Sequence, residues 1–419
     1  MHGGARQTAF GPVGEAERIA SLDVLHGFAV LGILVINIQH FAMIDATLLN
    51  PTAYGDLTGA NLWVWGLSHL LADQKFMTIF SLLFGAGVVL MTQRAEAQGV
   101  GAARAYYRRT LWLILFGLLH GYLLSSHDIL FLYGVCGLLV YLLRKKSPRR
   151  LLMLGLLALA VPSGLSFVLG LTLPLWPPDA VRQVTESWLP PAEKITAEVD
   201  AYQGSWIAQV QYRALTVLQG QTVGIVMWWL WRTGGLMLMG MALYRLGVFS
   251  ATRSRAFYGG MVAVGGLVGL PLVAYGIHQN FAAGWDVRYA YFLGSQWNYW
   301  GSVLVSGMWV GLVMLACRSK TWQPLTRPLV AVGRMAFTNY ILQTVICTFI
   351  FYGHGLGLYG TVSRVQQIVI VCAVWVLQLV VSPLWLRCFQ FGPLEWLWRS
   401  LTYHQFAPLR RRVAGVVPG

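Results

Sequence analysis

Ten apolar runs, each close to the ~20 residues that a helix needs to cross the hydrocarbon core of a bilayer, recur along this chain. They lie at 24–44, 74–93, 110–126, 129–143, 151–175, 221–246, 256–277, 299–317, 329–352 and 366–388. Only 11% of the 419 residues are charged, whereas soluble domains carry roughly a quarter. A chain this poor in charge cannot cover a soluble surface, so lipid must cover much of it. The expected fold is all-α, a polytopic integral membrane bundle of about ten transmembrane helices. The stretch 61–72 is also apolar but precedes Asp73 and Lys75. It lies in the outer interface or extends the second helix.

The connections test that count. Segment 92–109 nets +3, segment 144–150 (RKKSPRR) holds five basic residues and no acid, and 245–255 and 318–327 are also basic. Between them, 45–60 has two Asp and no base, 176–212 nets −3, and 278–298 balances. Basic connections alternate with neutral or acidic ones, which fits N-in and C-in topology under the positive-inside rule. The net charge of +15 is thus a topology signal, and no nucleic-acid partner is expected. The expected organisation is a cytoplasmic tail over 1–23, a helical bundle over 24–388 with an external loop at 176–212, and a cytoplasmic interfacial helix with a basic tail over 389–419. Within the external loop, 190–211 reads as a polar, partly amphipathic helix. In the interfacial helix, Glu395 and Arg399 stand four apart and can pair on its surface. The first run is not followed by a small-residue cleavage site, so it is read as a retained helix. The five Cys lie in or beside apolar runs without a C-x-x-C, so neither a disulfide framework nor a zinc site is expected.

Ionisable residues inside a membrane helix are costly, so each marks a candidate site. His120 and His127 are seven apart and share a helix face, with Asp128 at the mouth. A histidine beside a carboxylate is what a general base needs, because the carboxylate fixes the tautomer and supports the imidazolium. His120 is expected to be the base or a transient acyl carrier, oriented by Asp128. Asn37, His40, His69, Asp73, Lys75 and His127 are expected to line the same outer chamber. Asn339 and Gln343, four apart in GRMAFTNYILQ, either line a substrate path or bond neighbouring helices. No H-x-x-x-H or H-E-x-x-H pattern occurs, so no metal is expected. Taken singly, each histidine reads more plainly as a helix–helix hydrogen-bond partner.

The run RIASLDVLHGFAVLGILVINIQHF (18–41), followed by KFMTIFSLLFGAGVVL (75–90), RRTLWLILFGLLHGYLLSSHDILFLYGVCGLL (108–139), GGLMLMGMALYRLGVF (234–249), GRMAFTNYILQ (333–343) and GPLEWLWRSLTY (392–403), resembles the YeiB-like family of bacterial membrane proteins. In that family the first block usually reads LD-x-x-RG, and here His26 stands for the arginine. The same block is remotely similar to transmembrane acyltransferases such as heparan-α-glucosaminide N-acetyltransferase, which carry a His or Asn eleven residues after that arginine, here Asn37. The resemblance implies an enzyme that moves an acyl group from cytosolic acyl-CoA to a hydroxyl or amine on the far side, using a histidine near the outer face. On that reading Arg108, Arg109 and Arg334 hold the donor's phosphates, and the acceptor is a small molecule, glycan or lipid. The bilayer is the constant partner, and a homodimer is an open alternative to a monomer. A transporter or flippase for a small or lipidic substrate is the competing reading. It is weakened by the scarcity of deep acids for ion coupling and by the lack of a visible internal repeat. A non-catalytic membrane partner or sensor is a third.

Overall fold

The computed structural model describes residues 18–99, 101–406 and 408–411. The expected tail before Arg18, and Arg412 with the residues after it, lie outside the described residues. Among those described, helix alternates with short connections and no β-strand occurs, only an isolated bridge between Phe389 and Arg410.

The N-terminal half holds α1 (Ala20–Ala42), α2 (Gly59–Leu71), α3 (Lys75–Ala97), α4 (Ala102–Leu123), α5 (Leu130–Val140) and α6 (Pro148–Thr172). Next come α7 (Pro178–Trp188), α8 (Ala192–Gln203) and α9 (Trp206–Gln219), which runs through wider turns into α10 (Leu230–Arg245). The remainder is α11 (Arg255–Val264), α12 (Leu270–Ala282), the single turn α13 (Val287–Tyr289), α14 (Ser295–Cys317), α15 (Gln323–Arg334), α16 (Ala336–Phe351), α17 (Arg364–Cys388) and α18 (Pro393–Tyr403).

Among the described residues, six helical stretches are long and apolar enough to cross a membrane, and a seventh if the bent pair α15–α16 counts as one. The expected crossings at 110–126, 129–143 and 221–246 fall on α4, α5 and α10. The first of these helices opens on arginines, the second is short, and the third carries Trp231 and Arg232. Leu157, Val168 and Leu171 on α6 and Val369, Val376 and Val380 on α17 are exposed. Outward apolar faces of this kind mark contact with lipid or with another apolar surface.

The bundle is closed by backbone-to-backbone approach. A Cβ on Gly240 of α10 would overlap the Leu82 carbonyl of α3, and one on Gly85 the Met237 carbonyl. The helices meet there only because both positions lack a side chain. Gly87, on the other face of α3, has nothing within 4 Å of an added Cβ, and it faces a cavity described below.

The chain differs from the expected ninth crossing, 329–352. There α15 and α16 meet at 84°, hinged at Met335. The break is stable because its polar groups find partners. Glu395 of α18 accepts from the Phe337 and Thr338 backbone N–H groups at 2.7 and 3.0 Å and from the Thr338 hydroxyl at 2.5 Å. A side-chain carboxylate thus supplies what the preceding helical turn would have supplied. Burial pushes the Glu395 carboxyl up, and the bonds from Thr338 and Phe337 pull it back. So Glu395 turns inward as a cap. The external loop also holds more structure than expected, with α7 preceding the polar region and Gly204–Ser205 dividing that region into α8 and α9.

Candidate functional site

The sequence GLLHG puts Gly117, His120 and Gly121 on one face of α4. A Cβ on Gly117 would overlap the Phe131 backbone nitrogen and lie 2.7 Å from Asp128 Oδ2. The missing side chain therefore lets the first turn of α5 ride against α4 and brings Asp128 over the helix. Asp128 Oδ2 accepts from the Phe131 N–H at 2.7 Å, and its Oδ1 lies 2.8 Å from His120 Nδ1. The two side chains are 2% and 3% exposed, so water does not screen the pair. An ionised Asp128 can only accept, which puts the proton on Nδ1 and leaves Nε2 as the lone-pair nitrogen. Nε2 lies 3.0 Å from the Thr344 hydroxyl of α16, which then donates to it. The expected pairing of His120 with Asp128 is present, and an ionised Asp128 would give the tautomer a general base needs.

Gly117→Ala should drive α5 from α4, lowering stability by roughly 1–3 kcal/mol through overpacking. Gly121→Ala is the control. Its Cβ meets only side-chain atoms, at 3.4–3.6 Å, and alanine favours helix by up to ~1 kcal/mol. Thermal unfolding in detergent checks both. Equal midpoints for the two variants would contradict the argument.

A cavity of about 340 Å³ opens beside this pair, within the range of small-molecule sites. One end is cationic, with Arg18, Arg94, Arg109, Arg334 and Arg399 against Asp23 and Glu395. Asp23 pairs with Arg18 at 3.3 Å, and Glu395 is spent on α16. The Arg109 guanidinium sits 3.9 Å over the Trp398 ring, whose indole N–H donates to the Arg109 carbonyl at 2.9 Å. Thus α18 roofs this end. Burial, then Arg109 and Arg18, push Arg399 down to about 10. The other end is walled by Ile129, Leu130, Tyr133 and Tyr340. Tyr340 lines the cavity and its ring lies 5.3 Å from that of His120, which does not line it.

The structure distributes the expected residues unevenly. Arg109 and Arg334 line the cavity, while Arg108 is half-buried and outside the lining. His26, where the resemblance expects arginine, also lines it, with Nδ1 3.0 Å from the Leu22 carbonyl. Asn339 and Gln343 bond neighbouring helices. Asn339 Nδ2 donates to Val332 O and Ser382 Oγ at 3.1 and 3.0 Å, and Gln343 Nε2 to Val30 O and Gln378 Oε1 at 2.9 Å each. Neither lines the cavity.

His69, Asp73 and Lys75 form a separate group, and His69 and Asp73 line a second, smaller cavity. His69 Nδ1 lies 3.2 Å from Asp73 Oδ2. The fully buried Lys75 Nζ donates to the His69 carbonyl at 2.7 Å and to Asn298 Oδ1 at 2.6 Å, and Asn298 Nδ2 donates to Asp73 at 2.7 Å. Nearby, the buried Arg232 donates to Ser302 Oγ at 2.8 Å and Tyr299 O at 3.1 Å. Asn37 stands half-buried on α1, three residues before His40. The His40 and His127 rings meet at a tilt of 39°, with centroids 3.5 Å apart.

Sequence reasoning missed Thr344, Tyr340, Arg399 and Trp398. Thr344 and Tyr340 sit four apart in a helix already singled out for its polar residues. Arg399 and Trp398 sit in a segment that read as a membrane anchor.

A profile described as "Protein of unknown function (DUF418)" matches residues 243–405. The chain is 32% identical over 398 residues to the uncharacterized protein YeiB of Escherichia coli (strain K12), covering 94% of this chain and 98% of that one. It is 30% identical over 409 residues to the uncharacterized protein YxaH of Bacillus subtilis (strain 168), covering 94% and 97%. Such similarity, carried end to end through the helices that build the cavity and the His120–Asp128 pair, means that the chain belongs to the YeiB-like family.

Proposed function

We propose that this protein is a transmembrane acyltransferase of the bacterial inner membrane, taking its acyl group from cytosolic acyl-CoA. The alternation of basic and acidic connections supports ten crossings with both termini inside. That topology puts the arginine-lined end of the cavity on the cytoplasmic side and His120 toward the outside.

The observation that carries the reading is the cavity's polarity. Guanidinium groups at one end suit the phosphates of CoA, and the apolar interior suits a pantetheine arm and acyl chain. Tyr340, on the far wall, stands against the His120 ring. Once Tyr340 turns aside, the thioester carbonyl meets the acceptor beside Nε2. The acceptor oxygen or nitrogen bonds to the acyl carbon, and the carbon–sulfur bond breaks. The acceptor's proton passes to His120 Nε2 and then to the departing thiolate. Asp128 stabilises the transient imidazolium. Positioning both substrates supplies several kcal/mol of the barrier lowering.

Calorimetric titration of the purified protein in detergent with acetyl-CoA, and with free CoA as competitor, tests the donor site. Saturable, CoA-competed binding is expected. Arg109→Ala and Arg399→Ala should each weaken it on the order of tenfold or more, the scale of a hydrogen bond to a charged group. Folded protein that binds nothing at millimolar ligand would turn the reading to a transporter or flippase, which uptake in proteoliposomes without any acyl donor would then establish.

A further inference from the structure

At the outer end three side chains converge from three separate segments. His40 ends α1, Asp45 opens the short turn Asp45–Leu48, and His127 lies in the connection between α4 and α5. One ligand atom of each lies within 4.8 Å of those of the other two. His127 Nε2 is 3.6 Å from Asp45 Oδ1, while its Nδ1 is 3.1 Å from the Ser126 hydroxyl, a bond that leaves Nε2 directed at the cluster. His40 Nδ1 is buried and has no hydrogen-bond partner. A buried polar atom left unpaired costs free energy and calls for a ligand. Glu198 steadies the turn from outside: its Oε1 accepts from the Asp45 N–H and from the Tyr359 hydroxyl, both at 2.8 Å.

We propose that His40, Asp45 and His127 bind a divalent transition-metal cation, zinc being the best match. Two imidazoles and one carboxylate favour zinc over magnesium or calcium, which take oxygen ligands. Tetrahedral zinc with bonds of ~2.0–2.1 Å sets its ligand atoms roughly 3.3 Å apart. Small rotations of two rings and one carboxylate close the present spacing to that value. The Ser126 bond to His127, and Glu198 behind Asp45, are the outer partners that orient ligands at such sites. Three protein ligands leave a fourth position for water. The chain pattern hides the site because 87 residues separate the two histidines, so no metal motif appears. Binding here ties the end of α1 and its following turn to the connection that carries Asp128, the residue after His127. The metal thereby holds the partner of His120 in place.

The test uses full-length protein in detergent, stripped with a chelator and then titrated with zinc, with magnesium as control. Uptake of one zinc per chain and no magnesium is expected. His127→Ala and Asp45→Asn should each weaken zinc binding by more than about a hundredfold, beyond what loss of an outer partner costs. His69→Ala, in the separate group, should leave it unchanged. Cobalt substituted for zinc should give the visible absorption of a tetrahedral site, which His127→Ala should abolish. Circular dichroism confirms that each variant is folded. Failure of the wild type to take up stoichiometric zinc, or uptake that survives both ligand substitutions, overturns the proposal. Neither result touches the acyl-CoA binding site, which is the arginine-lined end of the cavity.

Discussion

Replacing His120 with alanine is expected to lower acyl transfer by about 10²–10⁴-fold, the usual contribution of a positioned general base. The protein should remain in the membrane at normal abundance. Asp128 fixes Nδ1 at 2.8 Å, and Thr344 marks at 3.0 Å where an acceptor hydroxyl would donate to Nε2. Alanine removes the proton acceptor but leaves the arginine-lined end of the cavity untouched, so acetyl-CoA affinity should stay within a few-fold of wild type. Asp128→Asn keeps the shape but lets the side chain favour the wrong tautomer, so it too should lose most activity. The measurement is CoA thiol released from acetyl-CoA by membranes carrying each variant and native acceptor. Undiminished release by His120→Ala would exclude this histidine as the base. Loss of both release and acetyl-CoA binding would mean that the variant is damaged more widely.

The largest expected effect on stability is at Asn298. Lys75 is completely buried, and its ammonium reaches the carboxylate of Asp73 only through the Asn298 amide, which accepts from one at 2.6 Å and donates to the other at 2.7 Å. Asn298→Leu is nearly isosteric, yet it removes both bonds and leaves the buried Lys75 ammonium with the His69 carbonyl alone, while the partly exposed Asp73 keeps His69. Leaving a buried charged group short of a hydrogen-bond partner costs roughly 1–3 kcal/mol or more, whereas replacing a whole buried ionic arrangement with apolar groups is often neutral. Asn298→Leu alone should therefore sharply lower the unfolding midpoint in detergent, and adding Lys75→Met and Asp73→Leu should restore most of it. A single variant within about 0.5 kcal/mol of wild type, the range of ordinary surface changes, would show that water reaches the group and that its burial is not what holds it.

Much of the helical layout was legible because apolar length is a one-dimensional signal. The runs at 24–44, 74–93, 151–175 and 366–388 became α1, α3, α6 and α17 within a few residues at most ends. The His120–Asp128 contact was legible for the same reason: the two residues are eight apart, and a helix end followed by a short connection can only bring them near each other. The hinge at Met335 was not legible, because hydropathy continues across it and its cap is a glutamate 58 residues downstream. The cluster of His40, Asp45 and His127 was hidden likewise, since nothing local distinguishes Asp45 from any loop acid. The grouping of His69, Asp73 and Lys75 depends on Asn298, more than 220 positions away. Apolar runs and short spacings declare themselves, and contacts made by tertiary closure do not.

The cap that Glu395 places on α16 also fixes an order of events during synthesis. Chains emerge amino end first, so α16 leaves the ribosome before the carboxylate that will satisfy its first N–H groups. Until α18 arrives, α16 carries unpaired donors in or beside the bilayer, where they are expensive. An interrupted chain therefore has a hinge with no lock and a basic cavity with no roof. Docking of α18 supplies both at once, because Glu395 and Trp398 lie on the same helix.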